Sequence, residues 1–262
     1  MKKIAILLIL IIFYASNTWA QKIEAQVKEE VELMSVLARL AGYEEYGFDY
    51  ARGYTADIDS VLGKFRSHEA VEMMKLFSEK YGLGYDRVMS IALQIECRGD
   101  NIVKLDTGKK SISPIGQKET HEFLSALNDF YRTSRFNDFF NTHTDIYELG
   151  LQVFNDSVMA HFDQEWYTRF YGTPPAEQFR IIIGFTNGPC NYGPSRKLTG
   201  QPKEVFAIMN YAVDDNERPI FYKKVVETVV HEFCHSFTKI KGDTEKALEK
   251  SGKALQEYTY FS

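Results

Sequence analysis

The chain has 262 residues, with 31 Lys+Arg against 36 Asp+Glu and a formal net charge of -5. Hydrophobic residues make up 44% of it, enough to build a packed core, which excludes a disordered chain. No run of Lys or Arg extends beyond pairs such as Lys109-Lys110 and Lys223-Lys224, so the basic footprint of a nucleic-acid binder is missing.

The chain opens with Lys2-Lys3, an unbroken apolar run from Ile4 to Tyr14, and small residues at Thr18 and Ala20. The run is shorter than the roughly 20 apolar residues of a membrane span. Residues 1–20 therefore read as a secretory signal peptide. The expectation is an exported protein, periplasmic or secreted, with no stable membrane insertion after cleavage. No internal repeat or low-complexity linker divides residues 21–262, which read as a single domain.

Helical spacing dominates the first half. Residues 24–40 place Val27, Val31, Met34, Leu37 and Leu40 on one stripe, and residues 60–80 repeat the pattern with Val61, Phe65, Val71, Met74, Leu76 and Phe77. Tyr85 to Ile95 predicts a further helix, and residues 98–116 read as a surface connection. An Arg98-Gly99-Asp100 triplet lies there; chance accounts for it better than an adhesion role. Residues 119–140 predict a helix along Phe123, Leu127, Phe130 and Tyr131. Asp145 is positioned to cap another through Phe162.

The period then changes. Residues 179–185 (FRIIIGF) form a β-branched run that predicts a buried strand, TNGPCNYGP (186–194) is turn-rich, and residues 205–213 predict a second strand. This pattern predicts an α+β fold, helix-rich with a small sheet. The three cysteines, Cys97, Cys190 and Cys234, leave at least one thiol unpaired in a monomer. A Cys97–Cys190 bridge is open, and Cys234 reads as a small hydrophobe on a helix.

The chemistry-bearing segment is His231-Glu232-Phe233-Cys234-His235, inside the apolar stretch 221–240. That stretch is apolar on more than one side, which predicts a buried helix. Histidines four apart share one helix face about 6 Å apart along the axis. Two imidazoles so placed can ligate one divalent ion. Glu232 lies about 100° further round, beside the ion rather than on it. Zinc in such a site acidifies water and polarises a carbonyl, and a neighbouring carboxylate takes the proton. His231 and His235 are thus candidate metal ligands, Glu232 a candidate general base, and Zn2+ the expected cofactor. Peptide hydrolysis is the reaction to which HExxH points.

The HEFCHSF helix resembles that of zincin-type metallopeptidases of the gluzincin kind. More narrowly, the stretch VELMSVLARLAGY, the strand and loop IIIGFTNGPCNYGP, and HEFCHSF resemble the DUF4932 domain proteins, a family of secreted bacterial proteins. The resemblance implies a zincin-like domain over residues 21–262, with a small sheet beside the HExxH helix and a peptide or protein substrate. It also implies that residues 205–213 or 179–185 serve as an edge strand pairing with extended substrate, with Asn191 and Tyr192 in a loop able to reach the cleft, although an ordinary turn with a packing tyrosine is the better reading of that loop.

One departure stands out. Zinc requires a third protein ligand. Thr238 and Lys241 exclude the metzincin pattern. A gluzincin takes a later glutamate, and the candidates are Glu245, Glu249 and Glu257 in the helical stretch 244–258. Family members are expected to continue beyond Ser262, so a C-terminally truncated domain with its third ligand outside this chain is the other expectation. The alternative function is a non-catalytic extracytoplasmic binding protein on a peptidase-like scaffold.

Overall fold

The computed structural model describes residues 23–172 and 175–235. The signal-peptide segment, the stretch 244–258 and its Glu245, Glu249 and Glu257 lie outside the described residues.

The chain is α+β. It begins with the short strand β1 (Ala25–Gln26) and helix α1 (Glu29–Leu40), where a helix from residue 24 is expected. Residues 25 and 26 instead pair in parallel with Ile181 and Ile182. Every residue of α1 from Val31 to Leu40 is buried, so this amphipathic segment is the central helix of the core.

The helix predicted over 60–80 is divided. Helix α2 (Arg52–Asp57) runs into a π-helical turn (Ile58–Leu62) and a 3-10 turn (Gly63–Phe65), and α3 (Glu69–Tyr81) follows. His68 starts α3 afresh, its Nδ1 accepting the Ala70 N–H at 3.2 Å. Val61 and Leu76, both on the predicted stripe, are exposed.

Helix α4 (Asp86–Ala92) stops before Ile95. The chain then forms a hairpin of β2 (Ile95–Arg98) and β3 (Asn101–Lys104), where a surface connection is expected. The Arg98-Gly99-Asp100 triplet occupies its exposed tip, and Arg98 is paired with Glu96.

Helices α5 (Gln117–Thr133) and α6 (Phe136–Thr142) replace the single helix predicted over 119–140. The break falls at Arg135, which adopts a left-handed backbone with φ 55°. Helix α7 (Thr144–Ser157) holds Asp145 within its first turn rather than at its cap. Helix α8 (Glu165–Tyr171) completes the first half.

The main sheet gains β4 (Gln178–Gly184), β5 (Ser195–Lys197) and β6 (Lys203–Asn210), in the order β1-β4-β6-β5. The pairs β1/β4 and β4/β6 are parallel, and β5 runs antiparallel to β6. Most of β4 and β6 is buried, as continuous apolar runs in a parallel sheet require. Both predicted strands are therefore interior. The sheet edges are β1 and β5, which corrects the expectation that β4 or β6 forms a free edge for substrate. Helix α9 (Val225–Cys234) packs against β6.

Among the described residues no helix is long and apolar enough to cross a membrane. Cys97 and Cys190 are not bridged to each other. Cys234 is partly buried against the core, as a small hydrophobe would be.

Candidate metal centre

Helix α9 carries the HExxH segment, and its own sequence orients it. Val226, Val229, Val230 and Phe233 are buried. The Phe233 ring lies 4.7 Å from that of Phe179 on β4, and the Tyr167 hydroxyl of α8 donates to the Val230 carbonyl at 3.3 Å. Full burial of Phe233 is worth about 2–3 kcal/mol and fixes the rotation of the helix. His231 and His235 lie about 200° round the axis from Phe233 and face outward. Both are exposed. The helix is therefore buried on one face rather than nearly all round.

The two imidazoles stand almost perpendicular, with ring centroids 4.7 Å apart and Nε2 atoms 3.1 Å apart. A tetrahedral zinc with Zn–N bonds of about 2.0–2.1 Å places two nitrogens about 3.3 Å apart, so this spacing fits one ion between the rings. Desolvation by the surrounding protein, with the charge of His235 adding to it, holds His231 below the usual imidazole range. A neutral imidazole is the form that ligates.

Glu232 differs from its neighbours. It is 6% exposed, and burial pushes its carboxyl up to about 7. Its Oε2 lies 3.9 Å from His235 Nε2. Ligand atoms of His231, Glu232 and His235 all fall within 4.8 Å of one another, a group able to hold a metal ion.

The turn-rich loop between β4 and β5 packs on this helix. Gly193 meets the backbone carbonyl of Glu232 so closely that a Cβ would overlap it, and the same Cβ would lie 3.1 Å from His235 Cβ. Only glycine fits there. The residues just before it are structural. Tyr192 exchanges both main-chain hydrogen bonds with Ile208 (3.0 and 2.8 Å) and lays its ring near-parallel to that of Tyr46, centroids 6.5 Å apart. Asn191 Oδ1 accepts the Asn210 N–H at 2.9 Å.

All three HExxH residues thus come together. Sequence reasoning missed Gly193, which looks like any loop glycine.

A helix packed across a small mixed sheet, bearing a His/Glu group able to hold a metal ion, defines the class of molecule. The chain belongs to the DUF4932 family (domain of unknown function), whose pattern matches residues 23–259. No curated protein and no solved structure matches it.

Proposed function

We propose that this chain is a secreted zinc-dependent peptidase whose general base is Glu232. The observation that carries this is the 3.1 Å separation of the His231 and His235 Nε2 atoms, with a buried carboxylate 3.9 Å from one of them. His231 and His235 hold the ion together with a third ligand. The bound ion supplies Lewis acidity toward water and toward the scissile carbonyl. Glu232 takes a proton from the water that attacks the carbonyl carbon. When the C–N bond breaks, the same carboxyl returns that proton to the departing amine. Loop 186–194 supports the site from behind through Gly193, and β5 is the sheet edge that continues from it.

The test uses the purified mature chain. Zinc content is measured, and cleavage of an unfolded protein substrate is compared between wild type and Glu232→Ala. Stoichiometric zinc in both, with cleavage only by wild type, is the expected result. Equal cleavage by both would remove the site from the reaction.

One observation favours the second reading, a non-catalytic binding protein. Among the described residues no other His, Cys, Asp or Glu joins the group as a third ligand. Tight zinc without turnover on any peptide would support that reading.

A further inference from the structure

We propose that Glu32 is a positioning residue for the His231–His235 pair, acting through the loop from Phe185 to Gly193. The proposal rests on the metal reading of that pair.

Glu32 sits in the first turn of α1 at 0% exposure, far from α9 in sequence. Both of its oxygens are committed to the point where the chain leaves β4. The Phe185 N–H donates to Oε1 at 2.8 Å and the Thr186 hydroxyl to Oε2 at 3.1 Å. No lysine, arginine or histidine pairs with it among the described residues. The side chains facing it from other elements are Thr186, Tyr54 of α2 and Tyr147 of α7, whose two hydroxyls are 2.9 Å apart.

From this anchor the loop is fixed step by step. The Asn187 side chain donates to the Cys190 carbonyl at 2.9 Å. Gly188, at φ +62°, packs on the Glu45 carbonyl. Tyr192 is locked to Ile208 through both main-chain groups, and Gly193 ends against the Glu232 carbonyl and His235 Cβ. A displacement at Phe185 therefore reaches the backbone between the two histidines.

Stability alone does not account for an acid here. Burying a carboxylate without a cation is costly even with Phe185, Thr186 and Tyr54 bonded to it and a first-turn place in α1, and an apolar side chain of similar volume would fill the space. Burial pushes the Glu32 carboxyl up to about 7 even with these donors present, the mark of a group held in place against its own solvation. What the acid adds is geometry: two oxygens gripping two successive residues. Groups that touch metal ligands orient them, and here Gly193 makes that contact at the end of the loop that Glu32 anchors.

The experiment is a cobalt(II) titration of the full chain, with zinc competition, for wild type, Glu32→Gln and Thr186→Val. The controls are His231→Ala and Phe123→Leu, the latter loosening the core on α5 away from the loop. Near-ultraviolet circular dichroism reports whether each variant is folded. For Glu32→Gln the metal Kd is expected to rise about 10–100-fold, with altered cobalt absorption bands. Thr186→Val, which keeps the Phe185 donor, should give a smaller rise and covers the case in which Glu32→Gln does not fold. Phe123→Leu should lower the melting temperature and leave Kd unchanged. Folded variants that bind cobalt as wild type does would overturn the positioning role and leave the metal reading intact. Wild type that binds no cobalt, or binds it no better than His231→Ala, would overturn the metal reading first and the positioning role with it.

Discussion

Two glutamates in this molecule share an acidity and little else. Glu32 and Glu232 are both buried, and burial pushes each up to about 7. Glu32 accepts two hydrogen bonds from one turn of chain and lies closed within the core. Burial is the sole cause of the shift at Glu232, which sits beside two exposed imidazoles. On the proposed reading, the difference separates holding from reacting. A carboxylate whose oxygens are both engaged fixes its neighbours and exchanges a proton only if they move. A carboxylate with free lone pairs at a surface-facing metal group can take a proton and return it.

Exchanging either acid for its amide tests that contrast, and the largest effect is expected at Glu232. Glu232→Gln should lower peptide turnover by about 10²–10⁴-fold while zinc content is retained. The same change should make the metal-free protein more stable above pH 7, because a neutral amide avoids the burial of a charge. Chemical denaturation at pH 8 reads that gain, and a loss there would mean that the Glu232 carboxylate is held by favourable contacts rather than penalised by burial. His231→Ala and His235→Ala come next. Each should weaken zinc by more than the roughly 10–100-fold that supporting residues contribute, as measured against a chelator.

The pH dependence of stability sharpens the other half of the comparison. The folded-state pKa of Glu32 is raised from 4.5 to about 7. Above pH 4.5 the unfolded chain gives up this proton while the folded chain keeps it, so stability falls as pH rises and levels off above about 7. Glu32 alone should account for about 2.5 kcal/mol of that loss between pH 5 and pH 8, to be read from denaturant midpoints. Glu32→Gln should flatten this part of the curve. The smallest effect is expected for Gly193→Ala. Forcing a methyl group against the Glu232 carbonyl should cost about 1–3 kcal/mol, with a fall in zinc affinity that distinguishes it from overpacking elsewhere.

The sequence made the metal helix legible because everything it needs is local. Spacing alone puts His231 and His235 on one face, and the valines with Phe233 mark the opposite one. The two main strands were legible for the same reason, as β-branched runs bounded by turns. What escaped notice depends on partners distant in the chain. Ala25 and Gln26 form a strand only because β4 offers an open edge at Ile181 and Ile182. The hairpin of β2 and β3 has too little alternation to announce itself, and Asn128 holds it by bonding both main-chain groups of Ile102. Glu32 looked like a stray acid because its two donors lie more than 150 residues away. The split at Arg135 rests on one left-handed residue that no apolar stripe encodes.

The stacked Tyr46 and Tyr192 rings offer the experimenter an unplanned gauge. Tyr192 directly precedes Gly193, which abuts the helix at Glu232, so if the proposed ion binds and turns that helix, the expected consequence is a change in the tilt between the two phenols. Their ultraviolet optical activity should therefore change as metal is added, in an untagged and unlabelled sample. Loading of the site could then be followed by light alone, whatever the substrate proves to be.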